Sequence, residues 1–521
     1  MHLSDFDLRQ LASRNLEELS VVEKNLLLGK LLSDLIEARE RLQANSQNSS
    51  RPPSSDPPWS SPREEASPPP VESESPSEPK ERSAQQKSPD PASTPAEPAL
   101  KPAPPERKKP GRQPGAQGHS RSEIGPVTGT ILHAPEVCAV CNRELPPEAF
   151  VARTGLYVLD LKTESEAGLR GLQLVQHKHL YGESQCEGCG HVTRTEPSRG
   201  PKEPQWKVDL SEWCCVGPQL MSLIVCLSLR MRLSRRSTQE FLHDWLGLTL
   251  STSTIHRCVH EAGRAVEPLE AVLVEEVRQA ALAYADETPW KEWGALLWLW
   301  VIATPLVSLY LIGYRTAELI ENSLGVDFSG WLMSDGYRVY RQFQKRLRCW
   351  AHLLRKAKGL KDSLSGEASA FGAAALTLLE AAMAAVYAAR EGPPGVSLAS
   401  SFQDRLEAFH TLCEQHRDSR HEKTRALAVE FLNDWEAVWI VLSHPYLPLT
   451  NNEAERALRH WVILRRISHG TRTSEGSRAL GLLASVIETC RKRKQLPWPY
   501  LAKVIAARRK GQPAPPLPTP A

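Results

Sequence analysis

The sequence predicts a multidomain α+β protein whose largest part is a mixed α/β core that contains a helical insertion. Three features predict this class. The 20-residue run ALLWLWVIATPLVSLYLIGY is uncharged, but its central Pro305 and its β-branched and aromatic residues favour two buried strands over a membrane span. Residues 359–441 are Ala-rich and follow a helical period. Residues 125–200 hold two Cys-x-x-Cys pairs, which are typical of a small metal-stabilised module.

The composition between these features divides the chain into seven parts. We expect a leucine-rich helix, a Pro/Ser-rich linker, a basic arm, a zinc module, a helical region, the α/β domain with its insertion, and a basic C-terminal region with a Pro-rich tail. Their bounds are 1–44, 45–106, 107–124, 125–200, 201–277, 278–480 (with the insertion at about 359–441) and 481–521.

Positive charge is concentrated in two places. The net charge is only +3, yet residues 451–510 hold 14 Lys and Arg against 4 Asp and Glu. The run ERKKPGRQPGAQGHSRS is a second basic stretch. Such local charge favours a polyanion, most often nucleic acid, although a solvated basic surface or a flexible linker gives the same pattern. In the second stretch the candidate DNA contacts are Lys108, Lys109 and Arg112.

The region that precedes this basic arm divides into a helix and a linker. On its N-terminal side, Leu28, Leu35 and Leu42 recur every seven residues, which predicts a short coiled coil or an amphipathic helix that docks elsewhere. Between positions 51 and 110 lie 18 of the 41 prolines, so we expect a disordered linker there.

The start MHLSDFDLRQ lacks the apolar core of a secretory signal, and the cysteines form no secreted-type framework. We therefore expect a cytoplasmic protein without membrane contact.

Four cysteines predict a structural zinc site. Cys138 and Cys141 form one Cys-x-x-Cys pair, and Cys186 and Cys189 form the other. Four thiolates are the usual set for a closed tetrahedral Zn²⁺ site. Between the pairs, TGLYVLDLK and LQLVQHKHLYGESQC have strand patterns. A zinc-ribbon-like module is the prediction.

The segment after this module predicts a helical DNA-binding region. In LSRRSTQEFLHDWLGLTLSTSTIHRCVHEAG, a helix is followed by a turn at Gly247 and a second helix capped near Ser251 or Ser253. This is helix-turn-helix spacing, although such helical pairs are also common without DNA contact. The candidate contacts on the second helix are Thr254, His256 and Arg257.

Two aspartates close strands of the α/β core. Asp286 lies near the end of ALAYADETPW, and Asp335 ends the apolar run GWLMSD. With two strands and a polar helix between them, this order predicts a ribonuclease-H-like fold, in which the first and fourth strands are neighbours. The two carboxylates would then meet at one sheet edge and hold hard divalent cations, preferably Mg²⁺. Ordinary strand-end turn residues are the alternative, since Asp335-Gly336 is a common turn signal.

The segment CWAHLLRKAK precedes the insertion. Cys349 and His352 lie three residues apart on a helix, which could suggest a metal pair, but no second pair accompanies them. We therefore expect them to pack beside the site. Arg355 and Lys356 are candidates to face DNA phosphates.

The stretch LPLTNNEAERALRHW holds two further acids. Thr450 fits an N-cap, which puts Glu453 at the third helical position and predicts a capping box. Glu455 lies too deep in the helix for capping. Because the apolar Ala454, Leu458 and Trp461 would pack on the sheet, we expect Glu455 at the sheet edge as a third carboxylate.

In order, YADETPW, SDGYRVY, CWAHLLRK and NNEAERALR make the chain resemble the insertion-sequence-sixty-six family of bacterial DDE transposases. The leucine-rich start, the PGRQPG arm, the Cys-x-x-Cys pairs and RRISHGTRTSEGSRA extend the resemblance over nearly the whole chain. Members often have Asp before the paired asparagines, where this chain has Thr450. The resemblance implies a retroviral-integrase-like core with Asp286, Asp335 and Glu455 as its catalytic, metal-binding triad.

The resemblance also implies the activity and the partners. The protein would bind terminal inverted repeats and catalyse Mg²⁺-dependent DNA cleavage and strand transfer, with two Mg²⁺ ions for which Mn²⁺ can substitute. Its partners would be double-stranded terminal-repeat and target DNA, further copies in a homodimer or larger complex, and accessory proteins of the same element. A non-catalytic DNA-binding regulator or an inactivated relic is the alternative. In the C-terminal helix the candidate DNA contacts are Asn452, Arg456, Arg459, Arg465 and Arg466.

Overall fold

The computed structural model describes residues 20–43, 127–162, 172–195, 216–392 and 397–521. The linker and the basic arm with Lys108, Lys109 and Arg112 lie outside these residues. The N-terminal helix α1 (Val21–Gln43) begins with a capping box, because Ser20 and Glu23 exchange hydrogen bonds between side chain and main chain. Its Leu28 and Leu35 side chains are 63% and 51% exposed, so the predicted coiled coil stays a prediction.

The cysteine module is built on a small mixed sheet. In this sheet β3 pairs in parallel with β1 and antiparallel with β2 and β4. Both strands predicted from sequence are present as β2 and β3. A left-handed residue closes each cysteine turn: Asn142 at φ 53° and Gly190 at φ 70°. The strands are β1 (Gly129–His133), β2 (Phe150–Lys162), β3 (Gln173–Gln185) and β4 (Val192–Arg194).

A helical layer follows and confirms the predicted helical pair. Gly247 takes a left-handed conformation at φ 64°, and the Ser251 hydroxyl caps the next helix by accepting from the Thr254 N–H. The module is tied to this layer by Asp160, whose carboxylate accepts the Leu220 N–H at 2.8 Å. The helices are α2 (Pro218–Val225), α3 (Arg235–Leu246), α4 (Thr252–Val266) and α5 (Glu270–Arg278).

The central sheet has the strand order β7-β6-β5-β8-β9. β5, β6 and β7 are antiparallel, whereas β5, β8 and β9 are parallel. The uncharged run forms two strands with a turn at Thr304, as predicted, and the Thr304 hydroxyl accepts the Val307 N–H. The elements are β5 (Leu282–Glu292), β6 (Ala295–Ala303), β7 (Ser308–Gly313), α6 (Ala317–Leu324), β8 (Trp331–Ser334) and β9 (Arg346–Arg348).

The outer edge of this sheet is covered by a late helix. Strand β7 directs the main-chain N–H groups of Ser308 and Tyr310 away from β6, and the hydroxyls of Thr489 and Ser485 accept them at 3.1 and 2.8 Å. This satisfies polar groups that would otherwise invite pairing with another chain. Three helices complete the core, namely α12 (Asn452–Ser468), α13 (Ser474–Lys492) and α14 (Pro497–Arg509).

In chain order the predicted helical insertion follows strand β9 and precedes helix α12, and it has its own hydrophobic core. Its first helix, α8 (Gly366–Glu391), is long and apolar enough to cross a membrane by length and composition. The Phe371, Leu379 and Val386 side chains of this helix are, however, buried against the other helices of the insertion. It is therefore a core helix of the insertion. Helix α7 (Trp350–Lys361) leads into the insertion, whose own helices are α8, α9 (Ala399–Gln415), α10 (Glu422–Asn433) and α11 (Trp435–Ser443).

Candidate functional site

The parallel register of β5 and β8 brings two aspartates to one edge of the central sheet. The last paired residues are Tyr284 and Met333, and the same register continued by two residues sets Asp286 opposite Asp335. Neighbouring strands lie about 4.8 Å apart, so these two carboxylates are adjacent. Asp335 also accepts the Tyr337 N–H at 2.9 Å, which orients its side chain at the strand end.

The surroundings of Asp286 disfavour its ionised form. Burial raises the pKa of Asp286 well above the usual range of a carboxyl group, and the negative charges of Asp335, Glu287 and Glu455 raise it further. Asp286, Asp335 and Glu455 together form a hard oxygen donor set, in which the charges of Asp335 and Glu455 act against ionisation of Asp286. A divalent cation bound among them would offset this repulsion, so the residues present fit Mg²⁺.

A buried asparagine holds the start of α12 against the same edge. The pairing of β5 with β8 ends at Tyr284, and the Asn451 side-chain amide donates to the carbonyl of the next residue, Ala285, at 2.8 Å. The Asn451 main-chain N–H points to Cys349 Sγ at 3.2 Å. Glu455 follows one turn later, with its N–H on the Asn451 carbonyl at 3.1 Å. Sequence reasoning missed Asn451, although the paired asparagines stood beside the predicted site.

The predicted capping box at this helix is wrong. The helix begins at Asn452, its N-cap is Asn451, and within the described residues the Asn451 side chain makes no capping hydrogen bond. Glu453 instead accepts from Lys492 Nζ at 2.8 Å and lies 3.6 Å from Arg456. The pattern Thr-x-x-Glu reports only a local preference, whereas a lysine 39 positions later offers Glu453 a charged partner. Glu453 therefore still has a structural role, through Lys492 and not through the helix cap, and Glu455 remains the candidate at the sheet edge.

A second buried acid beside Asp286 was also missed. Glu287 receives the guanidinium of Arg315, with Nη2 at 2.6 Å, and the hydroxyl of Tyr340 at 2.6 Å. The Arg315 guanidinium in turn stacks between the rings of Trp298 and Tyr337. Glu287 is therefore paired with a fixed cation, and its bond to Tyr340 ties the residues after Asp335 to the sheet. The adjacent Asp-Glu pair in the sequence was the available signal.

A network of buried ion pairs joins the strand ends to insertion helix α10. Glu430 pairs with Arg348 and with Lys356, whose Nζ lies 2.7 Å away. Arg348 and Asp434 are both 2% exposed. Breaking such a pair leaves an uncompensated buried charge, so the network fixes the insertion relative to the sheet. Asp434 faces three arginines at 2.9 to 3.3 Å, namely Arg341, Arg346 and Arg348.

A cleft of about 450 Å³ opens beside Asp335, between the sheet edge and α10. A Cβ at Gly336 would lie 2.7 Å from Glu430 Oε1 and 2.8 Å from Arg348, so a larger residue there would displace the ends of these two side chains. Lys356 lines this cleft although it is paired with Glu430. Arg355 does not line it. The cleft brings basic side chains to the carboxylate edge.

The basic residues of α12 divide into two kinds. Arg465 donates to the Thr288 hydroxyl at 2.7 Å and to the Pro289 carbonyl, so it ties α12 to β5. The other predicted DNA contacts on this helix have exposed side chains, namely Asn452, Arg456, Arg459 and Arg466. These four lie on the solvent side of the helix that carries Glu455.

The candidates on α4 are not equivalent. Thr254 is 4% exposed, and its hydroxyl lies 2.9 Å from that of Ser251 within the helix cap. His256 is exposed and Arg257 is half-buried. Of the three residues, the position of His256 best fits contact with another molecule.

The four cysteines of the module converge on one point. Cys138 and Cys189 have their sulfur atoms 3.5 Å apart, as do Cys141 and Cys186. Four sulfurs at about 2.3 Å from a zinc ion lie roughly 3.8 Å apart, so the cluster fits Zn²⁺. Main-chain N–H groups of Cys141 and Val140 lower the pKa of Cys138 to about 6, which favours the thiolate that a metal needs.

Among the described residues, two sets of three or more Cys, His, Asp or Glu side chains have ligand atoms that all lie within 4.8 Å of one another. One is the four-cysteine cluster, and the other comprises Cys349, His352 and Glu455. Asp286 and Asp335 are in neither set. In a two-ion site the metals are about 3.5–4 Å apart, so carboxylates that share two ions span more than one tight cluster.

The fold and the site together define an α/β protein with converging carboxylates at the edge of a mixed sheet, a basic helix beside them and a separate cysteine cluster. Residues 214–479, just over half of the chain, match the family model described as Transposase IS66 family. The chain belongs to the transposase IS66 family, and the resemblance predicted from its motifs is confirmed. Residues 8–69 match a second model, described as a family of unknown function.

Three relatives from Sinorhizobium fredii were found among curated proteins. The chain is 25% identical to "Uncharacterized protein y4qI" over 310 residues, which is 53% of this chain and 57% of the relative. It is 24% identical to "Uncharacterized protein y4hP" over 442 residues, or 77% of this chain and 74% of the relative. It is 30% identical to "Uncharacterized protein y4jO" over 112 residues, or 22% of this chain and 33% of the relative. The chain thus spans little more than half of the first relative.

Proposed function

We propose that the protein is a DNA transposase with a ribonuclease-H-like core in which Asp286, Asp335 and Glu455 form the catalytic triad. The register of β5 against β8, which sets the two aspartates side by side, is the observation that carries this proposal. The strand order, with three antiparallel strands followed by two parallel ones, supports the core. The Asn451 clamp supports Glu455 as the third member, because it holds the first turn of α12 at the same edge.

The triad residues would hold two Mg²⁺ ions. Ions bound there would activate a water or a DNA 3′-hydroxyl as the nucleophile and would stabilise the oxygen that leaves the phosphodiester. The chain contributes the geometry. Asp286 and Asp335 are fixed by the strand ends, and Glu455 is fixed by its helix. Burial is the main cause of the raised pKa of Asp286, and the neighbouring carboxylates add a negative potential that favours cations at this edge.

The same carboxylates repel the DNA backbone, so the chain needs compensating cations. Arg456, Arg459 and Arg466 are exposed on the helix that carries Glu455 and would neutralise phosphates. Lys356 lines the cleft beside Asp335 and would approach a phosphate near the reacting bond. Asn452 is exposed at the start of the helix and is a further candidate contact.

Recognition of the element ends would fall to the other parts of the chain. The basic arm, the zinc module and His256 on α4 are the proposed contacts to terminal inverted repeats. Joining two DNA ends requires at least two copies, and the exposed leucines of α1 are candidates to bring them together. Target DNA and accessory proteins of the element complete the proposed partners, in the bacterial cytoplasm.

The test is Mg²⁺-dependent cleavage and strand transfer on DNA that carries the element's terminal repeats. Asp286→Asn, Asp335→Asn and Glu455→Gln should each reduce the cleavage rate by about 1,000-fold or more and leave DNA binding intact, since each removes a metal ligand and no DNA contact. Glu453→Gln is the matched control, because it changes a glutamate on the same turn that pairs with Lys492. It should retain cleavage.

Undiminished cleavage by Glu455→Gln would overturn the assignment of the triad. Wild-type protein that binds terminal-repeat DNA without cutting it, at any Mg²⁺ or Mn²⁺ concentration, would favour the non-catalytic regulator instead.

A further inference from the structure

Beside the proposed triad lies a group of three potential metal ligands from two distant segments. Cys349 and His352 belong to the start of α7, and Glu455 belongs to the first turn of α12. Their ligand atoms all lie within 4.8 Å of one another, and His352 Nδ1 is 3.9 Å from Glu455 Oε1. The sequence offered only a cysteine and a histidine three positions apart, which is too few ligands for a site. The fold supplies the third.

The protein scaffold already holds these side chains in place. The Asn451 main-chain N–H points to Cys349 Sγ at 3.2 Å, and the Trp350 N–H donates to the Leu449 carbonyl at 2.8 Å. These two bonds fasten the start of α7 to the residues just before α12. The ligands therefore approach one another because two chain segments are joined, and not by chance contact of long flexible side chains.

One ligand atom in this group has no other use. His352 Nδ1 is buried and makes no hydrogen bond within the part of the chain that the structure describes. A buried polar atom without a partner costs free energy unless a ligand satisfies it. The side chains of His352 and Glu455 are 21% and 33% exposed, so the group stays open to solvent on the side of the cleft.

We propose that Cys349, His352 and Glu455 bind a borderline-soft divalent cation of the Zn²⁺ type. One sulfur, one imidazole nitrogen and one carboxylate oxygen suit Zn²⁺ or Co²⁺, whereas Mg²⁺ prefers oxygen ligands alone. Three protein ligands with a fourth position open to solvent is the arrangement of an exchangeable zinc site. The closed four-cysteine cluster of the module differs from it in having no open position.

Such an ion would engage the same carboxylate that the proposed triad uses. Zn²⁺ at this site would draw Glu455 towards Cys349 and away from Asp286 and Asp335, so that Zn²⁺ would inhibit Mg²⁺-dependent DNA cleavage. This consequence rests on the proposed function, whereas the binding of the ion does not. The site would make the enzyme sensitive to free Zn²⁺.

The binding test is a titration of the full-length protein with Co²⁺ after the four-cysteine cluster has been filled with Zn²⁺. We expect one further Co²⁺ per chain, with the visible absorption bands of a four-coordinate ion that has one thiolate ligand. His352→Ala and Glu455→Gln should each weaken this binding by about 100-fold or more, since loss of outer-shell partners alone costs 10–100-fold. Cys349→Ser should remove the sulfur-to-metal band.

His410→Ala is the control, because His410 is exposed on insertion helix α9 and should not affect the second ion. His352→Ala is the main variant, since Cys349 is fully buried and its replacement risks misfolding. Absence of this additional Co²⁺, or its binding with wild-type affinity by both His352→Ala and Glu455→Gln, would overturn the proposal.

The inhibition test uses the Mg²⁺ cleavage assay with added Zn²⁺. Zn²⁺ should slow the wild-type enzyme, and His352→Ala should need about 100-fold more Zn²⁺ for the same effect. If the protein binds the additional Co²⁺ but never cuts DNA, the proposed function is refuted and the proposed metal site is supported. A chain that cuts DNA but binds no second ion refutes only the site.

Discussion

Asn451 is the residue on which the position of Glu455 depends most directly. Its side-chain amide donates to the Ala285 carbonyl at 2.8 Å, one residue before Asp286, and the residue is fully buried. Replacement by Ala leaves that carbonyl unpaired, which costs about 1–3 kcal/mol. Among the residues that the structure describes, Asn451 Oδ1 has no hydrogen-bond partner although it is buried, so its removal returns part of this cost. We expect a net loss of about 1–2 kcal/mol in the free energy of unfolding for Asn451→Ala.

The effect on activity should exceed the effect on stability. Release of the first turn of α12 lets Glu455 shift relative to Asp286, and a shift of about 1 Å in a catalytic group costs roughly 100-fold in rate. Asn451→Asp keeps the shape but loses the donor, and it turns an acceptor towards the Ala285 carbonyl. Its loss of stability should therefore be larger than that of Asn451→Ala.

Urea unfolding followed by tryptophan fluorescence gives the stability, and Mg²⁺-dependent cleavage of terminal-repeat DNA gives the rate. Asn452→Ala is the control for stability, because the adjacent asparagine is exposed and its removal should leave unfolding unchanged. If Asn451→Ala unfolds at the wild-type urea concentration and cuts DNA at the wild-type rate, the clamp does not position Glu455.

Two further predictions concern the buried charges. Asp434→Asn should lower the free energy of unfolding, measured in urea, by about 3 kcal/mol, because it removes a carboxylate from the buried Arg348. Asp404→Asn is the control, since Asp404 is exposed and its change should have little effect. Equal stability of the two variants would contradict this prediction. His460 donates to a main-chain carbonyl and accepts from Arg232, and burial lowers its pKa to about 4. The imidazole of His460 takes up a proton near pH 6.5 in the unfolded chain but only near pH 4 in the folded chain, so the stability that it contributes is complete above pH 6.5 and is lost as the pH falls towards about 4. Thermal unfolding measured across this range should therefore depend less on pH for His460→Gln than for the wild type. An unchanged pH dependence would count against this role of His460.

Local patterns in the sequence were sufficient for the elements and for one of the two sites. Two Cys-x-x-Cys pairs specify their own tight turns, so the four-cysteine cluster was predictable from spacing alone. The break at Pro305 and the glycine at 247 mark real chain reversals, because these residues restrict or permit backbone conformations wherever they occur. The order of strands and helices in the core followed from the same kind of signal.

Contacts between distant segments were not predictable in this way. The capping box failed because Glu453 meets Lys492. The partnership of Glu430 and Asp434 with the arginines around β9 spans more than 80 positions, and no short-range pattern marks it. Asn451 and Ala285 are 166 positions apart. In each case a buried polar group selects its partner by proximity in the folded chain.

The sequence by itself determined the candidate residues of the proposed sites: two aspartates at strand ends, a glutamate in the first turns of a helix, and four cysteines in two turns. Chain-local physics is enough for that, since strand period, turn residues and helical period act over a few positions. The tertiary structure supplied the register that sets Asp286 opposite Asp335, which the order of elements had predicted. It alone showed that a buried asparagine holds the start of the helix that carries Glu455, and that Cys349 and His352 lie beside this glutamate. Register and packing are set by burial of the whole core, which no single segment contains.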